Sequence, residues 1–557
     1  MATLPVRTLG ATGVVSDTSP YGLPLNAFSK AKNVIFDEGR VQRAPVFKTL
    51  YSAFRSSLSF DAVTGSNAAA TGTFENTLGG ISSAQRFIGS YSTATAESVL
   101  VCDQNGTVRE YLNGDLRMVS AFPLVPVDNK APWTHTQAAG VSVLARKGMR
   151  PYARNLATDA AYSELRGDWN AKDSCALVRT YNDFLIALNV TKDTKEYPTM
   201  VKWCHPLQYS PNLDTGITWA IGDPTKLSGE NPIGEMKTPI REGLPLGRSF
   251  VIYSQDQVWT MDYTGAAEVF NFRKVFSTGG IIGTNCAVEV EAKHYVFGED
   301  DLYVHDGMSI RSMADEKVRK KVFTDMDRNK RDSFFVHHDS TKNLIYFCYV
   351  SKETDAAYPG TTYCNMAAVL NYRNSTWSFM DLPNLCGAAE TNISLAQAGF
   401  PAGSATLTPR VSVMLGVTDL TNKLTESRVY AVDTPDVGLV NLAPHPETIK
   451  PVLLERVGIE LDKEANFELR SYKTIKAILP QVLFSGATGR LKFTLGASDY
   501  IDGPVHWQDE QTFDHTCDYK VDSRAAGRYL AIRATSDTAD YFRWLGYDVD
   551  TIRTARR

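Results

Sequence analysis

Short β-prone runs joined by tight polar turns recur along most of this chain, and that pattern leaves few architectures open. The stretch "SVLVCDQNGTVREYLNGDLRMVS" carries two Asn-Gly steps, Asn105-Gly106 and Asn113-Gly114, each between strand-forming runs. Asn-Gly is a strong hairpin signal because both turn residues take φ > 0. The same design returns at Lys147-Gly148, Asn182-Asp183, Gln255-Asp256 and Glu299 to Asp301. It appears again in "FFVHHDSTKNLIYFCYV", "AAVLNYRNSTWSFMD" and "VSVMLGVTDLTNKLTESRVYAVD". Hairpins repeated in this way predict an all-β chain whose body is a β-propeller of about five to seven blades, radial repetition that leaves only short edges.

The flanks differ from this middle. Residues 1–55 are turn-rich and read as an extended N-terminal arm, residues 56–440 as the propeller, and residues 441–557 as a C-terminal β-sandwich-like domain. The last boundary falls in "NLAPHPETIKP", where prolines interrupt the strand pattern. One helix is expected, over 315–335, with Val318, Val322 and Phe323 as its apolar stripe. Its cations Arg319, Lys320, Lys321, Arg328, Lys330 and Arg331 are interleaved with Asp and Glu, so they read as a solvated face rather than a phosphate site.

Composition narrows the function classes. Of 557 residues, 58 are Lys or Arg and 62 are Asp or Glu, a formal net charge of −4. That balance excludes a protein coating nucleic acid over its whole surface and leaves only local or transient DNA contact. The eight cysteines form no Cys-x-x-Cys pair, so neither a zinc knuckle nor a disulfide framework is indicated, and buried free thiols are expected. The N-terminal "MATLPVRTLGATG" lacks an apolar signal core, and no run approaches the ~18 apolar residues of a membrane helix. A soluble protein made in a cytoplasm, with no membrane span, is the expectation.

Candidate chemistry is sparse. "SPNLDTGITW" places Asp214, Gly216 and Trp219 in an Asp-x-Gly-x-Thr-Trp pattern that resembles the Asp-box of sialidases, although one copy alone indicates a β-turn. A sialidase also needs several arginines clamping a carboxylate and a Tyr nucleophile poised by a Glu. No Phe-Arg-Ile/Leu-Pro opening and no second Asp-box accompany it. The acidic "GEDD" at 298–301 lacks the alternating oxygen spacing of a calcium loop and reads as a turn. Cys204-His205 and His337-His338-Asp339 are weak metal candidates, since adjacent strand residues point to opposite faces. Neither Gly79-Gly80 nor Gly279-Gly280 continues into a phosphate-cradling loop. No catalytic, cofactor-binding or metal-ligating residue is assigned.

Taken in order, motifs along nearly the whole chain resemble the tail nozzle family of short-tailed bacteriophages, also called tail tubular protein B or packaged-DNA stabilisation protein. The N-terminal "DTSPYGLPLNAFSKAKNVIFDEGRVQRAP" matches the family's opening at Pro20, Leu23, Pro24, Asn33, Val34, Phe36, Gly39, Val41, Arg43 and Pro45. The middle matches through Trp203, the turn at Asp214, Gly216 and Trp219, then Tyr263, Gly265, Tyr303, Asp306 and Gly307. The C-terminal match comprises Gly527, Arg528, Tyr529, Trp544 and Gly546. The motifs are individually loose, and the ordered combination carries the resemblance.

The resemblance implies a structural virion protein of the phage tail, assembled in the host cytoplasm, with no enzymatic activity and no cofactor. It implies a homo-oligomeric ring, a hexamer, below the portal and its head-to-tail adaptor or connector. Such a ring extends the channel for double-stranded DNA, retains the packaged genome, releases it on infection, and docks tail fibres, a spike or a needle. Loops at 56–83, 351–363 and 384–408 are candidates for the channel gate or for fibre docking. The alternative is a glycan-processing, sialidase-like or glycan-binding β-propeller.

Overall fold

The computed structural model describes residues 2–54, 85–93, 97–103, 106–112, 115–121, 131–165, 168–207, 219–266, 268–352, 363–394, 407–419, 425–433, 450–468, 470–486 and 489–555. Antiparallel four-stranded meanders follow one another along the chain. Their first strands are Gln85–Ser92, Trp133–Ala138, Ser174–Tyr181, Glu242–Leu246, Ala287–Val290 and Phe335–Asp339. A seventh meander begins in the second part of Thr376–Ser394, continues through Leu407–Asp419 and Thr425–Asp433, and takes its fourth strand, Val46–Phe54, from the other end of the chain. Each first strand packs against the next, and the seventh returns to Gln85–Ser92. The described residues therefore form a closed propeller of seven blades, numbered here in that order.

The turns that suggested hairpins do form them. Tyr181 pairs with Phe184 across Asn182-Asp183, with Asn182 at φ 49. Tyr253 pairs with Val258 around Gln255-Asp256, and Phe297 with Leu302 around Glu299 and Asp300. Asn105, Asn113 and Gly114 lie outside the described residues. Gly280, in the link from blade four to blade five, has a different task. A Cβ there would stand 1.9 Å from the Gln255 carbonyl oxygen, so only glycine lets the two backbones meet.

The N-terminal arm is laid down as strands that tie the propeller to the C-terminal domain. Ala2–Arg7 and Arg40–Arg43 both pair with Phe542–Ala555, and Val34–Asp37 pairs with Arg40–Arg43. With Tyr472–Phe484 and Val521–Gly527 they complete a six-stranded sheet. Lys30–Lys32 lies between Val452–Ile459 and blade six, pairing with both. Tyr529–Ser536 and Arg490–Ser498 extend that second sheet. The two sheets bury Ile475, Ile478, Leu491, Leu495, Phe493 and Trp544 between them as a β-sandwich, with Phe493 and Trp544 edge to face at 5.5 Å.

Two expectations need correction. The helix foreseen over 315–335 is a seven-residue α-helix, Arg319–Asp325, followed by a 3-10 turn, Arg328–Ser333. Asp17 of the arm accepts hydrogen bonds from the Lys320 and Lys321 backbone N–H at the helix start (2.7 and 3.1 Å). Asp325 ends it by accepting from Ser351 Oγ at 2.7 Å and Tyr349 OH at 3.2 Å. The segment 384–408, read as a long loop, begins instead as strand. Asn384 at φ 53 passes the chain from the last strand of blade six to the first of blade seven. Gly387 faces Ile88 of blade one, in ordinary packing distance of it. Residues 395–406, 55–84 and 353–362 lie outside the described residues, and with them most of the three loop candidates.

The closing strand gives a direct test. Phe47 is buried and packs its ring 5.8 Å from Tyr430 of blade seven. Phe47→Ala should lower the unfolding free energy by about 3–5 kcal/mol, the range for emptying a buried aromatic site. Urea unfolding followed by tryptophan fluorescence measures this, and an unchanged midpoint would mean that the strand does not hold the ring shut.

Candidate functional site

The first strands of the blades converge on an axial channel of about 300 Å³. Its wall includes Ile88, Trp133, His135, Arg179, Asn285 and Val336. Alternation along each strand sends one residue set to the axis and the next into the blade interior. Arg179 is the only arginine among the described residues lining the channel. It projects from blade three and is fully engaged. Nε and Nη2 donate to the Glu242 carboxylate of blade four at 2.9 Å each. Nη2 also donates to Asn285 Oδ1 at 2.8 Å, and Nη1 to the His135 carbonyl at 3.2 Å.

Glu242 is equally occupied, accepting also from the backbone N–H of Asn285 at 2.6 Å and Gly243 at 2.9 Å. Asn285 completes the set by donating to the Trp133 carbonyl at 3.0 Å. One hydrogen-bonded ion pair thus joins blades two, three, four and five. A guanidinium committed to the Glu242 carboxylate offers no clamp for a substrate carboxylate. His135 sits beside the pair, with Nε2 and Ser142 Oγ 2.9 Å apart. Burial first, and then the Arg179 charge, push its pKa down to about 4, so it is neutral at pH 7.

The other candidates fall into structural positions. Asp214 and Gly216 lie outside the described residues. Trp219, at the end of that stretch, is fully buried with its ring edge-on to Trp169 at 5.3 Å. The acidic turn is neutralised by arginines: Glu299 pairs with Arg241 at 2.7 Å, and Asp300 with Arg328 at 2.8 Å. Arg319 and Arg331 of the basic cluster point to the same turn. Cys204 Sγ accepts from the Leu185 N–H at 3.2 Å, and His205 Nδ1 from the Leu227 N–H at 3.0 Å. His337 meets Ser412 Oγ at 2.8 Å while His338 faces Tyr372. Among the described residues no three His, Cys, Asp or Glu side chains are placed to hold a metal ion.

The motif residues at the two ends of the chain come together. Pro20 opens a 3-10 turn, Pro24 accepts from the Ala27 N–H, and Gly39 takes φ 73 in the turn before Arg40–Arg43. Asn33 donates to Asp381 and to the Pro451 carbonyl at 2.8 Å each, joining arm, blade six and sandwich. Phe36 packs 5.7 Å from Phe28, which in turn lies 6.4 Å from Trp544. Tyr529, which opens the strand after Gly527 and Arg528, stacks edge-on to Tyr21 at 5.4 Å. Trp544 donates to the Gly546 carbonyl at 2.9 Å. The middle motifs stay in the propeller: Trp203 donates to the Leu227 carbonyl at 2.7 Å, and Tyr263 packs on Phe184 beside the Gly265 turn. Buried Tyr303 donates to the Gly279 carbonyl, and Asp306 caps the Gly307 turn through the Met308 and Ser309 N–H groups.

Sequence reading missed a second buried polar group. Tyr253 OH lies 2.6 Å from His294 Nδ1 and 2.5 Å from His305 Nε2, while His294 Nε2 reaches the Pro245 carbonyl at 2.8 Å. Gly307 N–H donates to His305 Nδ1, so neutral rings complete a one-way chain from His305 through Tyr253 to His294. The signal was available, because His294 and His305 stand equally far from the Glu299-Asp300 turn and pair across it.

No family model matches the chain, and no curated protein matches it. Similar solved structures include a chain of the Mitotic Checkpoint Complex, 8% identical over 63% of this chain and 90% of that one, with a TM-score of 0.37. Another is the β-propeller domain of Myceliophteria thermophila Cps50 (Swd1), 8% identical over 63% of this chain and 98% of that one, with a TM-score of 0.36.

Two predictions follow from these buried groups. Glu242→Gln leaves the Arg179 charge buried without its counter-charge, and should cost about 3–5 kcal/mol in chemical denaturation. Replacing both residues by apolar ones of similar volume should recover most of that loss. Burial likewise pushes His294 and His337 down to about 4. Below the ordinary value of 6.5 the unfolded chain takes up protons that the folded chain refuses, so stability is present above 6.5 and is lost toward about 4. Each such histidine should remove up to ~1.4 kcal/mol per pH unit in that window, read as a falling urea midpoint between about pH 7 and about pH 5. His294→Gln should flatten the fall.

Proposed function

We propose that this chain is a structural virion protein forming the tail nozzle of a short-tailed phage. Copies assemble as a ring, a hexamer, beneath the portal and adaptor. The ring continues the DNA channel, helps retain the packaged genome until infection, and offers docking surface for fibres, a spike or a needle. The observation that carries this reading is the convergence of the end motifs. Residues matching the family's first and last signatures, far apart in sequence, build one sandwich continuous with blade six. The ordered motifs thus mark a single architectural module.

The reading assigns no turnover. Sialidase-like chemistry requires guanidinium groups open to a substrate carboxylate, and Arg179 in the axial channel is held by Glu242. A propeller braced between blades is a stiff wedge, and stiff wedges pack around an axis through heterologous contacts that close at a fixed rotation.

Negative-stain images of the purified full-length chain, and mass photometry across a concentration series, test the proposal. Rings of uniform copy number around an open lumen are expected, alone or with the adaptor added. Monomers under both conditions, together with release of sugar from a sialylated or polysaccharide substrate, would replace it with the glycan-processing alternative.

A further inference from the structure

The sandwich strand Arg490–Ser498 has an exposed apolar feature at each of its ends. At its far end the turn 499–503 carries Tyr500, 73% exposed, and Ile501, 45% exposed, between the exposed carboxylates Asp499 and Asp502. The turn is firmly held. Gly503 N–H donates to the Tyr500 carbonyl at 3.2 Å, Tyr500 N–H to Ser498 Oγ at 3.3 Å, and Ser19 Oγ of the arm to Asp502 at 3.1 Å. Two large apolar side chains are thus fixed in water, which lowers the entropy lost when a partner covers them.

Where the strand begins, past the turn that joins it to Tyr472–Phe484, lies a cleft of about 460 Å³ between the sandwich and the blade-six turn Thr341 to Asn343. Leu483, 61% exposed, contributes apolar surface to it together with Phe484 and Phe542. Arg40, Arg43, Lys342 and Arg543 line it against two carboxylates, Asp37 and Glu38. Glu38 stands 3.9 Å from Arg40, and Asp540, outside the lining, offsets Arg43. A positive balance remains.

A strand of 9 residues separates turn and cleft. At about 3.3 Å per residue they lie roughly 30 Å apart, so they cannot meet within one copy. An apolar knob with acidic flanks and an apolar cleft with a basic balance are complementary halves of a head-to-tail contact. Such contacts generate rings when the rotation closes.

We infer that the Tyr500–Ile501 turn of one copy seats in the Leu483 cleft of the next, with Asp499 and Asp502 against its cations. The occupant is a second copy of this chain, and the contact, which rests on the nozzle reading, runs around the ring.

Mass photometry of the full-length protein across a concentration series tests it. Tyr500→Ala, Leu483→Ala, Asp499→Lys and Arg543→Glu all alter exposed side chains, so the urea midpoint should stay where it is. Each should raise the concentration for half-assembly about tenfold, the scale of losing an interface anchor. Asp499→Lys combined with Arg543→Glu should return it to within about threefold of wild type. In a Cys517→Ser background, a short bismaleimide should link chains carrying both Ile501→Cys and Leu483→Cys into ladders of several copies. Wild-type assembly in every variant, with no ladder, would overturn this contact and leave the nozzle reading standing. Monomers of the unaltered protein at every concentration would overturn both.

Discussion

Closure of the ring by a strand from the opposite end of the chain is the constraint on which the rest depends. A propeller whose last blade lacked Val46–Phe54 would leave Thr425–Asp433 as an exposed edge, with unpaired backbone donors and acceptors. The same arm supplies Lys30–Lys32 between blade six and the sandwich, and further strands to the six-stranded sheet. Propeller and sandwich therefore share backbone ladders instead of merely touching. Contacts such as Asn33 to Asp381 and Asn371 to the Phe36 carbonyl span more than half the chain and form only once both partners exist. Folding of this topology is correspondingly non-local and slow, because loop entropy is lost before those contacts return it.

Buried ion pairs set the angles within this frame. Arg179–Glu242 joins blades three and four, Arg154–Glu110 joins blades two and one, and Lys473–Asp462 ties two segments of the sandwich domain. Glu455 receives two hydrogen bonds from Arg533 across paired strands and an ion pair from Lys30 of the arm. Such pairs add little net stability over well-packed apolar residues, yet removing one partner is expensive. Their directional geometry makes them useful as registers. Apolar packing lets adjacent blades slide by fractions of an ångström, whereas a two-point guanidinium–carboxylate bond does not.

Local chemistry was legible in the sequence and long-range registration was not. Asn182-Asp183, Gln255-Asp256 and the acidic turn at 299–301 announced their hairpins because turn residues act over a few positions. The segment 384–408 was read as a long loop because of its low hydrophobicity, whereas 384–394 is strand because Leu407–Asp419, later in the chain, pairs with it. The expected long helix stops at Asp325 because Tyr349 and Ser351, from a strand distant in sequence, hold that carboxylate. Arg179 and Glu242 are 63 residues apart, and nothing local to either indicates the other. Arg43 was noticed as a motif residue, but a guanidinium short of acceptors is visible only once its surroundings are assembled.

The axial brace also decides where a conduit can run. Arg179 and Glu242 hold blades three and four together at the propeller axis, with Arg179 in the wall of a cavity of about 300 Å³. On the nozzle reading the DNA path is bounded by the outer surfaces of several copies, with each braced disc a stave. A chain whose 58 Lys and Arg are outnumbered by 62 Asp and Glu suits such a wall, since without a net excess of cations counterion release is small and adhesion to a sliding phosphate backbone weak. The basic turn region fits the same logic, because Arg319, Arg328 and Arg331 face the acids at 299–301. Arg43 and Arg456, both buried, are met by backbone carbonyls instead, and each keeps an Nε without an acceptor.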